Sequence, residues 1–440
     1  MLPLNKAKFG SHFISAFLLI SCVALLLISA CVPTFELKVT IQNQPLLTLG
    51  KIAYINGGDI WIYDLDNSQT TRLTHDGYNS QPQWSEDGER IAFINKGQLY
   101  VTNATLYQPQ LIDSRPVDWF NWSPDGTYLA YFINNVGIFI WNEASQNKKI
   151  ILPVFHDNNP NNFFWNNSGF ITYTIGSVIN GDYWVSINRV GLSGGTVETI
   201  FTTNELQGVP LLANVSADEQ WITYWLWDTT VSFPEQDGLS ICLLHVTDKK
   251  TYCTKSQTIP SNDFINWTFG SYVAFISTRA STNQFKNSLV VTNSTNSSES
   301  ELIKFTDGQA PIHPEISLDG KLIAFSAEPE LKQNTFETQK QQSEIPCNRR
   351  IWSVDINTKI MHQLTSDEEY CDDDPEWSVD GRRLLFLRVS DQYASLWLIN
   401  SDGRDLHQVI PELTPKPEPI GEYGYINKTY WWDWWRPKSS

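Results

Sequence analysis

Basic residues are scarce in this 440-residue chain, which has 31 Lys and Arg against 48 Asp and Glu and a formal net charge of −17. Nucleic-acid binding depends mainly on cationic contacts to phosphates, so this charge balance argues against a nucleic-acid partner. The same deficit disfavours adsorption to anionic lipid. Any attachment to a membrane must therefore be covalent or hydrophobic.

Several common motifs are also missing. No CxxC pair occurs among the six Cys, so a thiol redox site or a zinc ribbon has little support. The seven His show neither HxH nor HExxH spacing, and we predict no metal site from them. The body of the chain lacks a sustained apolar pattern with a period of 3.6 residues, so long helices are not expected.

The N-terminus has the layout of an export signal. Lys6 and Lys8 precede an apolar run from Phe13 to Ala30. The run ends in Ile-Ser-Ala-Cys, which resembles the lipobox of bacterial lipoproteins, and the resemblance implies a lipid on Cys31. An uncleaved transmembrane anchor is the alternative, because 18 apolar residues approach the length that spans a bilayer.

These features divide the chain into three parts. We predict a lipoprotein signal peptide at 1–30, a lipid-anchored tether at 31–49 and a folded body at 50–440. Either form of anchor places the body outside the cytoplasm, in the cell envelope, on the periplasmic or the cell-surface side. The expected partners are thus the membrane, through the anchor, and a protein or small ligand, and the body is expected to be a monomer.

The body consists of repeats. Four copies are clear and three are weaker, and their starts are spaced by 38 to 61 residues. Each reads as a strand, a tight turn and a second strand, because Ser-Pro-Asp-Gly at 123–126 has the chemistry of a type I turn. The copies are WSEDGERIAF at 84, WSPDGTYLAY at 122, WNNSGFITY at 165, VSADEQWITY at 215, WTFGSYVAF at 267, ISLDGKLIAF at 316 and WSVDGRRLLF at 377.

Each unit continues with a third and a fourth strand, and four antiparallel strands make one blade of a β-propeller. Residues 50–74 read as strands two to four of a blade that lacks its first strand, and Tyr430–Pro437 is a strand-like aromatic segment. If this segment supplies the missing strand, the ring closes and both sheet edges are covered. We predict an all-β, eight-bladed propeller closed by the C-terminal strand; seven blades is the alternative.

The motifs resemble the TolB-like, WD-like β-propeller repeats, whose consensus runs close to P-x-W-S-P-D-G-x-x-I-A-F. Gln-Pro-Gln-Trp at 81–84 and Asp-Pro-Glu-Trp at 374–377 fit this pattern. The resemblance covers about residues 50–437 and departs from the six blades usual for TolB itself. It implies the architecture and says little about activity, because such blades occur in binding proteins and enzymes alike.

Four Cys remain in the body after the signal and anchor are set aside: Cys242, Cys253, Cys347 and Cys371. An even number suits a compartment in which disulfides persist. Three connectivities are open. The repeat pattern favours Cys242 with Cys253 and Cys347 with Cys371, because each pair flanks one predicted hairpin.

An acidic run is the richest candidate for a binding surface. It lies in a predicted connection between two blades, on the same rim as a long polar insert, Ala327 to Cys347. Oxygen ligands this close together suit Ca²⁺, but the run lacks the D-x-[DN]-x-[DN]-G loop, so a solvated partner-binding rim is the main prediction and no cofactor is expected. The residues of this rim are Asp367, Glu368, Glu369, Asp372, Asp373 and Asp374.

No catalytic constellation emerges from the sequence. Gly191–Gly195 matches G-x-S-x-G, but it lies where the repeat requires a hairpin, so we interpret it as a turn. The repeated Trp residues are assigned to packing between blades. We therefore predict a non-catalytic binding scaffold rather than an enzyme. The alternative is a carbohydrate-binding protein or a hydrolase with its site in the central channel.

Overall fold

Eight four-stranded antiparallel sheets form a ring in the described part of the computed structural model. The structure describes residues 48–437 except 155–162, 167–168, 205–206, 217, 228–237, 268–271, 282–283, 296–297, 306–308, 310, 330–347 and 418–427. The predicted eight-bladed β-propeller is thus confirmed, and seven blades is excluded. We number the blades along the ring from the one that contains both ends of the body.

The first half of the ring contains blades 1 to 4. The strands of blades 1 and 2 are β32 (Trp432–Trp435), β1 (Lys51–Asn56), β2 (Asp59–Asp64), β3 (Gln69–Arg72), β4 (Asn79–Trp84), β5 (Arg90–Asn95), β6 (Gln98–Asn103) and β7 (Gln110–Asp113). The strands of blades 3 and 4 are β8 (Trp119–Trp122), β9 (Tyr128–Ile133), β10 (Gly137–Asn142), β11 (Asn147–Pro153), β12 (Phe163–Trp165), β13 (Phe170–Ile179), β14 (Asp182–Gly191) and β15 (Val197–Asn204).

The second half follows the same order. The strands of blades 5 and 6 are β16 (Val209–Val215), β17 (Trp221–Trp227), β18 (Leu239–His245), β19 (Thr251–Thr258), β20 (Ile265–Trp267), β21 (Tyr272–Ser281), β22 (Gln284–Asn293) and β23 (Glu299–Lys304). The strands of blades 7 and 8 are β24 (Ile312–Ile316), β25 (Leu322–Ala327), β26 (Arg350–Asp355), β27 (Met361–Gln363), β28 (Cys371–Trp377), β29 (Arg383–Val389), β30 (Ala394–Asn400) and β31 (His407–Leu413).

The repeated Ser-x-Asp-Gly sequence forms the turn between the first two strands of a blade. In blade 2, the Ser85 hydroxyl donates to Asp87 at 2.5 Å and accepts the Arg90 backbone N–H at 3.0 Å. Gly88 has a φ of +69°, a conformation that strains residues with a side chain. Hydroxyl-to-carboxylate bonds of the same kind occur at Ser123–Asp125, Ser216–Asp218, Ser317–Asp319 and Ser378–Asp380.

The C-terminal strand closes the ring. Strand β32 pairs with β1 in antiparallel register, with Trp434 opposite Ile52 and Trp432 opposite Tyr54. Both Trp side chains are buried, at 3% and 2% exposure. The Trp434 indole N–H also donates to the Leu49 carbonyl at 2.8 Å. The predicted closure is confirmed, and it gives blade 1 strands from both ends of the body.

Burial identifies the inner and outer edges of the blades. All four residues of β3 and all three of β27 are exposed, so these fourth strands lie at the outer edge. All seven residues of β28 are buried, as expected for a first strand beside the channel. Apolar side chains of neighbouring blades pack together, for example Ile52 of blade 1 with Leu398 of blade 8. Each fully buried aliphatic side chain stabilises the fold by about 1.5–3 kcal/mol.

The described ranges contain two short 3₁₀ helices, Asn262–Phe264 and Lys428–Tyr430. No helix in these ranges has the length and hydropathy of a membrane span. The predicted signal peptide and nearly all of the tether fall in 1–47, outside the described residues. Their roles stay predictions.

Three of the four Cys of the body lie in the described residues. Cys242 on β18 is joined to Cys253 on β19, and the two residues are paired across the strands. This agrees with the pairing predicted from the repeat. Cys371 is also disulfide-bonded, and its predicted partner Cys347 lies outside the described residues.

Candidate active site

One residue of each first strand lies at the same register, immediately before the position of the repeat Trp. This channel position is opposite an Ala of the second strand in five blades, as in Gln83 with Ala92 and Glu315 with Ala324. It is polar in seven of the eight blades. In order from blade 1 to blade 8, the channel positions are Asp433, Gln83, Asn121, Phe164, Asn214, Asn266, Glu315 and Glu376.

Hydrogen bonds hold two of the channel positions against the neighbouring blade. The Asn266 amide donates to Glu315 Oε2 at 2.6 Å and accepts the Ile316 backbone N–H at 3.3 Å. In blade 1, Asp433 Oδ2 accepts the Trp84 backbone N–H of blade 2 at 2.7 Å. These bonds fix carboxyl groups of blades 7 and 1 against their neighbours.

A cavity of about 240 Å³ opens beside Glu315. Blades 6, 7 and 8 and the C-terminal segment all contribute to its wall. We call it the acidic cavity, and its polar lining residues are Asn262, Asp263, Asn266, His313, Glu315, Asp374, Lys428 and Thr429.

Lys428 brings an ammonium group to this cavity. Its ammonium lies 3.1 Å from Glu376 Oε1 and 3.3 Å from Asp374 Oδ1, and its side chain keeps 40% exposure. Arg436 approaches the second oxygen of Glu376 at 3.7 Å and donates to the Trp377 carbonyl at 2.7 Å. The C-terminal segment therefore brings two cations to the carboxylates of blade 8.

The carboxyl groups around Lys428 differ in their affinity for protons. Burial raises the pKa of Glu315 to about 7, and the nearby charges of Lys428 and Arg436 offset only part of this effect. Burial also raises the pKa of Asp374. For Glu376, burial acts upward, but Lys428 and Arg436 outweigh it and the pKa is lowered. One protonatable carboxyl and one firmly ionised carboxylate thus lie near the same cation.

A second ionic network borders the cavity. His313 Nδ1 lies 2.9 Å from Asp373 Oδ1, and His313 Nε2 lies 3.2 Å from Asp263 Oδ1. Arg349 donates to the other oxygen of Asp373 at 2.9 Å. Burial lowers the pKa of His313, but the charges of Asp373 and Asp374 outweigh this and raise it to about 10. His313 is therefore a cation at neutral pH.

The backbone is unusual at two residues of the acidic cavity. His313 and Asp374 have φ angles of +50° and +53°, and each precedes a Pro. Residues before Pro favour extended backbone with negative φ, so both conformations are strained. The strand register shifts at both points. Gln81, which precedes Pro82 in blade 2, has the same conformation with a φ of +55° and a register shift, so this feature belongs to the repeat and not to the cavity alone.

The structure places the predicted acidic rim in two different environments. Asp367, Glu368 and Glu369 are exposed in the connection between blades 7 and 8. The prediction of a solvated loop is wrong for Asp372, Asp373 and Asp374, which are 0–6% exposed within β28.

The reason for this burial is that each of the three carboxylates meets a cation from elsewhere in the fold. Asp372 binds Arg388 through both oxygens, at 2.6 and 2.8 Å, Asp373 binds His313 and Arg349, and Asp374 binds Lys428. A calcium ion at these carboxylates would compete with the protein's own cations. Within the described residues, no group of three or more His, Cys, Asp or Glu side chains is arranged to hold a metal ion.

The sequence analysis missed Glu315, Glu376, Asp433 and Lys428. A signal for the first three was present, because each immediately precedes the repeat Trp or its equivalent Ile. Aligning the repeats at that position shows acidic residues in three consecutive blades and Asn266 in the one before them. Lys428 lies outside the repeat, and nothing in the local sequence connects it with these carboxylates.

Comparison with known proteins supports the architecture. No protein-family model and no curated protein matches the sequence. Among solved structures, an oligogalacturonate lyase in complex with manganese aligns with a TM-score of 0.51 at 14% identity, over 82% of this chain and 98% of the lyase. Dihydro-heme d1 dehydrogenase NirN aligns with a TM-score of 0.56 at 11% identity, over 83% and 74% of the two chains.

TolB structures also align with this chain. TolB from Acinetobacter baumannii is among the similar structures, at 18% identity over 81% of this chain and 77% of TolB, with a TM-score of 0.34. That superposition is too loose to support an argument about function. The eight-bladed ring is established by the eight observed four-stranded sheets and does not depend on the resemblance to TolB.

The prediction that the protein is not an enzyme is wrong on these findings. The structures of similar fold include a lyase and a dehydrogenase. At such low identities the similarity establishes the fold and does not transfer a reaction. The chemistry must be argued from the channel of this chain.

Proposed function

We propose that the protein is an enzyme that cleaves glycosidic bonds in its central channel, with Glu315 as the proton donor. The observation that carries the proposal is the acidic cavity, which is lined by the carboxyl groups of Glu315 and Asp374 together with Lys428. Glycoside cleavage generally uses two carboxyl groups, one protonated and one ionised.

Glu315 has the properties of a general acid. A group with a pKa of about 7 holds its proton at neutral pH and also gives it up readily. The Asn266 amide holds one carboxyl oxygen of Glu315 at 2.6 Å, which orients the side chain. In the proposed reaction, Glu315 protonates the glycosidic oxygen as its bond to the anomeric carbon breaks.

Asp374 is suited to activate the attacking water. Its Oδ2 is buried and has no hydrogen-bond partner among the described residues, while Oδ1 lies 3.3 Å from Lys428. Burial raises the pKa of Asp374 and the charge of Lys428 offsets only part of this effect, so its carboxylate is a stronger base than that of an exposed aspartate. Asp374 takes a proton from the water as the water oxygen bonds to the anomeric carbon, so the products are two sugars with free hydroxyls.

A neutral sugar fits the polarity of the cavity. Asn262, Asn266 and Thr429 offer uncharged polar groups, and the one ammonium is already engaged by two carboxylates. An anionic ligand would meet Asp374, and the two cations among the described lining residues, Lys428 and His313, are already paired with carboxylates. Sugar hydroxyls can donate to these carboxylates without such a cost.

The test compares Glu315→Gln with the wild type on a panel of neutral aryl glycosides and unactivated oligosaccharides. Loss of the proton donor is expected to lower kcat/KM on unactivated substrates by about 10²- to 10⁴-fold. Aryl glycosides with good leaving groups should be affected far less, since they need little protonation. The wild-type rate should fall as the pH rises through about 7, and the variant should lack this limb.

Asn214→Ala is the matched control, because Asn214 holds the channel position of blade 5 and lines neither cavity described for this channel. It should retain wild-type activity. The proposal fails if Glu315→Gln cleaves unactivated substrates at the wild-type rate, or if the wild type cleaves no glycoside in the panel.

We also propose that the enzyme is exported and lipid-anchored at Cys31, in the cell envelope. The Cys242–Cys253 disulfide supports export, because disulfides persist in oxidising compartments. The exposed carboxylates of Asp367, Glu368 and Glu369 provide a rim for a protein or small-ligand partner. This rim is separate from the three buried aspartates of β28.

A further inference from the structure

A second cavity, of about 500 Å³, lies on the other side of the channel, against blades 1 to 4. Its volume falls in the range of ligand-binding pockets. Several indole rings and a few charged groups form its wall. We call it the aromatic cavity, and its principal lining residues are Trp84, Trp165, Trp432, Trp435, Asp433 and Arg436.

The aromatic cavity adjoins the acidic cavity. Lys428 and Thr429 line both of them. The short helix Lys428–Tyr430 therefore has the acidic cavity on one side and the aromatic cavity on the other. A ligand longer than one sugar ring can reach from one cavity to the other past Thr429, which is exposed.

One indole N–H of a residue that lines the aromatic cavity lacks a partner in the described part of the chain. In three other blades, the repeat Trp donates to the carbonyl of the channel position in the preceding blade: Trp122 to Gln83 at 3.2 Å, Trp165 to Asn121 at 3.0 Å and Trp377 to Glu315 at 2.9 Å. Trp84 departs from this pattern. Trp84 is 6% exposed, and its buried Nε1 has no hydrogen-bond partner among the described residues.

The unsatisfied donor is covered by neighbouring protein atoms, so a ligand that accepts hydrogen bonds would reach it only after a small movement of the cavity wall. Buried polar groups in native proteins are nearly always paired, so an unpaired one needs an explanation such as a bound group. The adjacent Asp433 offers a carboxylate as an acceptor. Its Oδ2 accepts the backbone N–H of Trp84, which holds the carboxylate in place. Donor and acceptor thus lie on neighbouring strands of blades 1 and 2.

The indole rings supply a complementary apolar surface. Trp165 and Trp435 are half-buried, with their N–H groups bound to backbone carbonyls, so their ring faces are fixed. Rigid aromatic faces bind at a low cost in conformational entropy. A pyranose ring combines a C–H face that packs on indole with hydroxyls that both donate and accept.

We infer that the aromatic cavity is a saccharide-binding subsite, which holds neutral sugar units of an oligosaccharide whose scissile bond lies in the acidic cavity. The position of the scissile bond rests on the proposed function. The binding of sugar in the aromatic cavity does not depend on it. The enzyme should therefore prefer substrates of three or more units to disaccharides.

The experiment measures binding by intrinsic tryptophan fluorescence in the Glu315→Gln background, which prevents turnover. Cello-, xylo- and chito-oligosaccharides of one to six units are titrated into the full-length body. Trp165→Ala removes one fixed indole face and is expected to weaken binding of chains of three or more units about tenfold, equivalent to about 1.4 kcal/mol. Binding of single sugars should change little.

The matched control is Trp352→Ala. Trp352 is also half-buried and also donates to a backbone carbonyl, that of Ala327 at 3.1 Å, but it lies on the third strand of blade 7 and lines neither cavity. Its affinity for all saccharides should equal that of its parent.

The outcomes separate the two claims. Equal affinity of Trp165→Ala and its parent, or no binding of any saccharide, would overturn the subsite. Binding that depends on Trp165 without cleavage by the wild type would refute the proposed function and leave the subsite standing. If the wild type cleaves glycosides but binding does not depend on Trp165, the subsite is refuted and the proposed function stands.

Discussion

At the scale of single residues, the proton affinity of each carboxyl group in the channel depends on its distance from a small number of cations. Lys428 contacts Asp374 and Glu376, and its charge also acts on Glu315. Because Glu376 lies closer to both cations, Glu376 stays ionised while burial dominates at Glu315. A substitution that changes this division should change the pH at which the site works.

His313 gives a prediction about stability and pH. Its pKa is about 10 in the folded protein and about 6.5 in an unfolded chain, so the folded state binds the proton more tightly. The stabilisation by this charge is fully present below about pH 6.5 and is lost as the pH rises through about 10. The unfolding free energy of wild type minus that of His313→Gln should therefore decrease across this range.

Denaturant titrations at several pH values measure this difference. His362→Gln serves as the control, because His362 is exposed on β27. For that variant the difference from wild type should stay small at every pH. A wild-type advantage over His313→Gln that grows between pH 7 and pH 10 would contradict the assignment of a buried imidazolium.

At the scale of elements, two successive residues of each first strand have different roles. The residue at the Trp position packs between blades, and the residue before it has its side chain on the opposite face of the strand, where six of the eight such residues line one of the two cavities. In blade 1 this strand is β32, which is separated from its sheet neighbour β1 by almost the whole body. The strand that completes the ring thus also delivers Asp433 and Arg436.

Trp434→Ala tests the strength of the closure. Trp434 is 3% exposed and packs with Ile52 and Leu398, so its truncation should lower the free energy of unfolding by about 3–5 kcal/mol. Tyr430→Ala is the control, because Tyr430 belongs to the same C-terminal segment but is 48% exposed. Thermal or denaturant unfolding measures both variants. Equal stabilities would mean that β32 does not hold the ring shut.

At the scale of the whole molecule, the site exists only when the ring is complete. The acidic cavity takes side chains from blades 6, 7 and 8 and from the C-terminal segment, which are far apart in sequence. A propeller brings such residues together because each blade presents its first strand to one common channel.

Cys31 gives the prediction that concerns the whole chain in the cell. If the lipobox is functional, the full-length protein expressed in a bacterial host should incorporate labelled palmitate and sediment with membranes. Cys31→Ala should abolish both, because the acceptor sulfur is gone. Cys22→Ala, within the apolar run, should behave as wild type. Labelling that survives Cys31→Ala, or a wild type without label, would refute the lipid anchor.

Much of the fold was predictable from particular residues. The Ser-x-Asp-Gly turns marked the hairpins, and the aromatic segment after Tyr430 supplied the first strand that residues 50–74 lacked. Both are local signals, because turn chemistry and strand alternation depend on neighbours in sequence. The Cys242–Cys253 disulfide followed in the same way, since both residues belong to one hairpin.

The site was less predictable because its energetics are not local. Asp372, Asp373 and Asp374 form an acidic run that favours a solvated loop, and their burial depends on cations from other elements. Burial without a paired cation would have been too costly for any of them. The partners Arg349 and Lys428 lie 24 and 54 residues from Asp373 and Asp374 in the sequence.

The sequence by itself determined the repeating hairpins and the segment that closes the ring, because these follow from period, turn residues and alternation, and the observed sheets decided between eight blades and seven. Only the tertiary structure decided which carboxylates are buried, which one keeps a proton near neutrality and which indole lacks a partner. Those properties depend on distances between blades, and a charge or a donor acquires its energy from whatever the folded ring places beside it.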